Sequence, residues 1–265
     1  MSDRLDQYSS QQKDFWNVAD EKSARFSRIY LDETRSESAW HQDAAKAAQI
    51  VLTGIEPKED WTILEVGCGV GRILDVLRNR LTVRRLIGVD ISESMIAFAK
   101  ERLADDDRVQ LRVGNRYDLS MIPSSTVNFA YAVDVFIHIY DVDVVLNYLG
   151  EVQRVLKEGG CFRFNVRRFD PTLAFHSSLG GRFARIMHQL GIWSTGKHRW
   201  YPGEEAGFCG NQFLPREIKK LVRLSRLSVL EMWEEGAHLW CTLKKPSGAR
   251  ESKPAEIIVT TQIAQ

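Results

Sequence analysis

Cysteine is scarce in this chain. Cys68, Cys161, Cys209 and Cys241 stand far apart with no C-x-x-C pair, which argues against a zinc site or a disulfide framework. An excess of one charge is also missing: 36 basic against 35 acidic side chains leave a formal net charge of +1. That balance offers no electrostatic footprint for a nucleic-acid backbone. No run of ~18 apolar residues is present, and Met1-Ser2-Asp3-Arg4-Leu5-Asp6 lacks the apolar stretch of a signal peptide. The expectation is a cytoplasmic protein, monomer or homodimer, with no membrane or nucleic-acid partner. Internal repeats and low-complexity tracts are absent too. What is there is 265 residues, 44% hydrophobic and 27% charged, enough for one large domain with a substantial core.

Residues 1–58 read as helical, with no core-strand signal. Phe15, Trp16, Val18 and Ala19 lie in a first apolar piece, a polar loop spans 32–38, and a second helix over 44–52 stops at Gly54. From Trp61 onward strand and helix alternate, the pattern of a parallel sheet with helices on both faces. Strands are expected over 62–66, 85–90, 109–113, 127–133 and 161–166. Helices are expected over 70–80, after a Ser92 cap with Met95, Ile96 and Ala99 on one face, and over 142–156 with Gly159-Gly160 as C-cap. In the fifth strand Phe162, Phe164 and Val166 alternate with Arg163, Asn165 and Arg167. Residues 168–213 are too long for a structureless connection. They hold an amphipathic piece over 183–190 and a Gly- and aromatic-rich stretch over 193–213, which reads as a cap over the site's mouth or as surface decoration. A helix then opens at Leu214-Pro215 and runs to Leu224, and 229–234 and 238–243 form a hairpin around Glu235-Gly236. Residues 246–256 read as a linker, and Ile257-Ile258-Val259-Thr260-Thr261 as a short β-like run. The expected units are 1–58, 59–167, 168–213, 214–244 and 245–265.

The run Ile63-Leu64-Glu65-Val66-Gly67-Cys68-Gly69-Val70-Gly71-Arg72 is an apolar strand entering three alternating glycines before a helix. Residues without a Cβ let backbone N–H groups approach a ligand, and the helix aims its positive end at the same place. The spacing is G-x-G-x-G, not the dinucleotide G-x-G-x-x-G. Leu86-Ile87-Gly88-Val89-Asp90 ends a second strand in an acid about 20 residues on, where a carboxylate holds ribose hydroxyls. On these residues the chain resembles the class I S-adenosylmethionine (SAM)-dependent methyltransferases, whose first motif reads much like 64–71. Val133-Asp134-Val135-Phe136-Ile137-His138-Ile139 is similar to runs after strand four in small-molecule members, and Arg154-Val155-Leu156-Lys157-Glu158-Gly159-Gly160 to the family's entry into strand five. The resemblance covers 61–167, and 214–244 by topology alone. It implies an α/β, doubly wound, mostly parallel seven-stranded sheet with a terminal antiparallel hairpin, here with N-terminal helices and a cap insertion, and SAM as cofactor.

The same resemblance implies site roles. Glu65, Gly67, Gly69 and Gly71 pass by the methionine end of SAM, and Asp90 accepts from the ribose diol. Ile91 and Met95 flank the adenine or belong to the core. Asn115 stands where the family has an acid for the adenine amino group, and its amide oxygen still accepts. Arg116 and Tyr117 are adjacent candidates or loop filler. Asp134 is structural or meets the methionine amine. The N-terminal helices lie over the cofactor or pack on the sheet edge. Methyl transfer from a sulfonium needs mainly alignment and a dry site. A hydroxyl or acidic carbon also needs a base, and His suits neutral pH. His138, just past strand four, is the best-placed base. His198 and His176 are weaker, and each of the three is otherwise an ordinary polar or surface histidine. Trp193, Trp200, Tyr201, Phe208 and Phe213 offer an apolar wall, or hold the cap down. Arg163, Arg167 and Arg168 would meet a substrate carboxylate or phosphate, or stay solvated. No metal is expected, and the N-P-P-Tyr type of motif that serves nucleic-acid amino groups is absent.

The expected function is methyl transfer from SAM to oxygen, nitrogen or carbon of a small, hydrophobic or aromatic metabolite. The rivals are a non-catalytic SAM-binding regulatory or partner subunit, and a nicotinamide-dependent oxidoreductase, which the glycine spacing and the hairpin oppose.

Overall fold

The computed structural model describes residues 12–22, 24, 36–114, 118–139, 141–169, 183, 186, 187, 190 and 210–248. Within them one sheet is built from β1 (Thr62–Val66), β2 (Arg85–Asp90), β3 (Val109–Val113), β4 (Val127–Ala132), β5 (Leu156–Arg168), β6 (Gln212–Phe213), β7 (Ser228–Glu235) and β8 (His238–Lys244). The order is β3-β2-β1-β4-β5-β8-β7, with β6 pairing β5 off this path. β1 to β6 pair parallel, and β8 runs antiparallel to both β5 and β7. The expected seven strands are one too few among the described residues. Gln212 and Phe213 add a short rung beside Arg167 and Arg168, beyond the end of β4. Arg168 therefore belongs to the sheet rather than to the insertion.

Among the described residues the sheet is covered by α1 (Glu37–Leu52), α2 (Arg72–Arg80), α3 (Glu93–Arg102), α4 (Val142–Val155) and α5 (Pro215–Leu224). α4 and α5 bury Val144, Val145, Leu149, Ile218 and Val222 on one face, and α1, α2 and α3 bury Ala48, Val51, Leu74, Leu77 and Ile96 on the other. With helices on both faces every side chain of β1 is buried, which is why the strand reads as an unbroken Thr-Ile-Leu-Glu-Val run. Ser92 Oγ accepts from the Met95 N–H at 3.1 Å and starts α3, and Asp141 Oδ1 accepts from the Asp143 N–H at 2.9 Å at the start of α4.

Several boundaries differ from expectation. α1 begins at Glu37 rather than near residue 44, because Ser36 caps it, its Oγ accepting from the Ala39 N–H at 3.2 Å. Residues 36–38, expected in a polar loop, are its cap and first turn. α2 starts at Arg72, two residues late, since Gly71 is left-handed at the cap position. Gly159-Gly160 is not a helix cap. α4 ends at Val155, Leu156 already pairs with Val127, and the glycines sit inside β5 at a register shift. A Cβ on Gly160 would lie 2.9 Å from the Lys157 carbonyl oxygen, so this bulge admits only glycine. The polar half of β5 is not a solvated face either: Arg163 and Asn165 are buried at 2% and 0% exposure. Phe213, expected in a cap wall, is a core residue beside β5. The 257–261 run and most of 168–213 lie outside the described residues.

Candidate active site

The sheet order reverses between β1 and β4, so a crevice opens there at the carboxyl ends of the strands. One cavity fills it. Glu65, Gly67, Gly69, Asp90, Ile91, Met95, Asp134 and His138 all line it, together with Gln12, Trp16, Arg72, Val135 and Tyr148. The predicted residues from three separate strand ends thus share one wall.

The glycine loop is shaped by its neighbours. Gly67 has φ +73°, and a Cβ on it would stand 2.2 Å from Val135 Cγ2. Only glycine fits between the two strand ends. Gly67 and Cys68 donate their N–H groups to the Val89 carbonyl at 2.7 and 3.1 Å. The Gly69 N–H donates to Asp90 Oδ2 at 2.8 Å and the Ser92 N–H to Asp90 Oδ1 at 2.9 Å. Asp90 is thereby fixed at the end of β2. Burial raises its carboxyl above the usual range, and those N–H groups pull it back. Each carboxylate oxygen retains a lone pair for a ligand donor. Gly71, expected beneath the methionine end, does not reach the wall. It caps α2 and packs toward Leu103 of the next helix. Met95 is on the wall and also buried beside Trp40 and Val70.

Glu65 is buried, and Tyr131, its partner across the parallel β1–β4 pair, donates a phenolic hydrogen bond to Glu65 Oε2 at 3.0 Å. Burial pushes the Glu65 carboxyl up to about 8, against the pull of Tyr131 and Arg72. Burial also pushes the Tyr131 phenol well up, with Glu65 adding to it.

Residues 12–18 also reach the cavity. Trp16 donates Nε1–H to Gln12 Oε1 at 3.1 Å, and both line the cavity. This segment docks on the start of α3: Ser92 Oγ donates to Asn17 Oδ1 at 2.8 Å, and the Val18 N–H to Ser94 Oγ at 3.0 Å. Lys13 pairs with Glu93 at 2.6 Å. His138 sits in the 3₁₀ turn Phe136–His138, its ring edge-on to Trp16 at 5.2 Å.

The expected arginine contacts go elsewhere. Arg163 donates to the Ile50, Val51 and Thr53 carbonyls at 2.7, 3.1 and 2.7 Å, and so caps α1. Arg168 pairs with Glu234 at 3.2 Å, and Arg167 turns toward the Ile137 carbonyl at 3.4 Å. None of the three lines the cavity. Asn115, Arg116, Tyr117, His176, Trp193, His198, Trp200, Tyr201 and Phe208 lie outside the described residues. Tyr131 and Asn165 were missed from the sequence, whereas the N-terminal helices were expected over the cofactor or on the sheet edge, and Gln12 and Trp16 do line the cavity. The register Glu65–Tyr131 was recoverable once β1 and β4 were taken as parallel neighbours; Asn165 carries no local signal.

A Rossmann-like sheet whose glycine loop, Asp90 carboxylate and post-β4 run converge on one cavity has the form of a nucleotide-cofactor domain. Residues 63–160 match the family of methyltransferase domains. Sterol 24-C-methyltransferase of Clavispora lusitaniae is 27% identical over 169 residues, covering 60% of this chain and 42% of that protein. Demethylmenaquinone methyltransferase of Leptospira interrogans is 34% identical over 103 residues, covering 38% and 40%. The chain thus spans less than half the length of these curated relatives. Geranyl diphosphate C-methyltransferase from Streptomyces coelicolor, solved with Mg2+, geranyl diphosphate and S-adenosylhomocysteine, superposes with a TM-score of 0.60 at 15% identity, over 90% of this chain and 98% of that one. Residues 63–160 thus form a methyltransferase domain, and the relatives it resembles are methyltransferases. No helix among the described residues is long and apolar enough to cross a membrane.

Proposed function

We propose that the chain transfers the methyl group of SAM to oxygen, nitrogen or carbon of a small, apolar metabolite. The observation that carries the proposal is the shared cavity: loop glycines and Asp90 at one side, Trp16, His138, Ile139, Val144 and Tyr148 at the other. The cradle fits the cofactor, because Gly67 is kept bare by Val135 and Asp90 is preset by two N–H donors. Asp90 would hold the ribose diol, Ile91 and Met95 the adenine, and Glu65 and Asp134 the methionine end, with Asn115 and Arg116 as further adenine-side candidates. SAM supplies an already activated methyl group, so the chain's part is alignment and exclusion of water. Trp16 and Gln12 line the cavity, and Tyr148 and Ile139 keep the acceptor side apolar. His138 is the candidate to take a proton from a hydroxyl or acidic carbon; His198 remains a second, weaker one.

Among the named relatives' acceptors, a sterol and a demethylated menaquinone are largely apolar and geranyl diphosphate joins an apolar chain to a charged diphosphate, which supports an acceptor with a large apolar part. Incubation with methyl-labelled SAM and a panel of prenyl, quinol and sterol-like acceptors tests it. Label transferred to one class is the expected result. SAM binding with no transfer across the panel would favour the partner-subunit reading.

A further inference from the structure

Three described non-glycine residues have positive φ: Ser125, Asp134 and Arg226. Only Asp134, at +58°, lines the cavity. A left-handed conformation in a residue with a Cβ persists where its surroundings over-determine it. Asn165 of β5, wholly buried, spends both ends of its amide on Asp134. Its Oδ1 accepts from the Asp134 N–H at 2.8 Å, and its Nδ2 donates to Asp134 Oδ1 at 2.6 Å. The backbone donor fixes which way the amide points. His238 Nε2 of β8 stands 3.9 Å from the same carboxylate oxygen. The next residue, Val135, occupies the space that a Cβ on Gly67 would need.

We propose that Asn165 is a positioning residue of the cofactor site: it holds the Asp134 turn, which aims the carboxylate at the cavity and seats Val135 against the glycine loop. Asn165 does not line the cavity and acts only through residues 134 and 135. The proposal deepens the SAM-binding reading above and rests on it.

Glycine adopts φ near +58° freely, so a glycine at 134 has no need of the clamp. Asn165→Ala should lower SAM affinity about tenfold in the otherwise native chain but less than about twofold in an Asp134→Gly background. Calorimetric titration with SAM reads both. Equal losses in the two backgrounds, or no loss in either, overturn the proposal, because a plain packing role does not depend on the residue at 134. Where the alanine variant fails to fold, Asn165→Asp, of the same size but without the Nδ2 donor, carries the same comparison. Amide hydrogen exchange at Asp134 needs no ligand and should quicken at least about tenfold in Asn165→Ala if the turn is released. An unchanged exchange rate overturns the clamp whatever SAM does. A native chain that takes up no SAM overturns the reading of the cavity instead, and the clamp is then judged by exchange alone.

Discussion

At the residue scale the site's electrostatics turn on Glu65 and Asp90. Both are carboxyls held up by burial, but they differ in partners: backbone N–H groups, Gly69 and Ser92 among them, hold Asp90, whereas the side-chain donor to Glu65 is the Tyr131 phenol. The folded Glu65 carboxyl titrates near 8, against 4.5 in its ordinary state. Between those values the folded chain keeps a proton that the unfolded chain has lost. Stability therefore falls as pH rises through this window, by up to roughly 1.4 kcal/mol per unit from this group. Glu65→Gln should flatten that slope, as urea unfolding at pH 5.5, 6.5 and 7.5 would read. Parallel slopes for variant and native chain would show that Glu65 is ionised in the fold. For Asp90 the expectation concerns binding. Charge-assisted bonds contribute roughly 1.5–3 kcal/mol each, so Asp90→Ala should weaken SAM binding by at least about tenfold, partly by freeing the Gly69 N–H. Unchanged affinity by calorimetry removes the ribose role.

At the scale of elements, Arg163 explains how α1 is fastened to the sheet. Its guanidinium enters from β5, satisfies three carbonyls at the end of α1, and stacks over the Trp233 ring at 5.2 Å. Arg163→Met keeps the volume and strands those acceptors, a cost of roughly 3 kcal/mol. Chemical denaturation should show that loss, while SAM affinity of the folded variant stays within about twofold, since Arg163 is not on the cavity wall. A large fall in affinity at full stability would return Arg163 to the site. The same residue shows why the sequence was legible only in part. Alternation in β5 marked Arg163 and Asn165 as facing away from Phe162 and Phe164, which holds. What covers that face depends on α1 and on the turn after β4, more than 30 residues away in chain order, and no local pattern encodes it. β1 and β2, with both faces buried and a glycine turn or an acid at their ends, were readable because those signals are local. Gly159-Gly160 misled for the converse reason: a bulge and a helix cap ask for the same residue.

At the scale of the whole molecule, the cavity draws on elements distant in sequence: residues 12–16, β1, β2, the start of α3, and the turn into α4. A ligand there bridges both halves of the sheet about its switch point and also the segment docked on Ser92 and Ser94. A ligand that binds only the folded form stabilises it by about 2.7 kcal/mol at a hundred times its Kd. For a chain of this size each kcal/mol moves the midpoint by roughly 2–4 °C. SAM and its demethylated product should then each raise the thermal midpoint by roughly 5–10 °C at saturation, and NAD should leave it in place. Differential scanning of the three decides between cofactors without knowledge of the acceptor. A shift with NAD and none with SAM or its product would mean that the loop spacing and the ribose-side acid had been assigned to the wrong nucleotide. The docked segment sharpens the comparison. If Trp16 closes over the ligand, Trp16→Ala should bring the SAM-induced shift down by several degrees while the ligand-free midpoint moves less, because the ring's contacts with His138 and the ligand are then lost together.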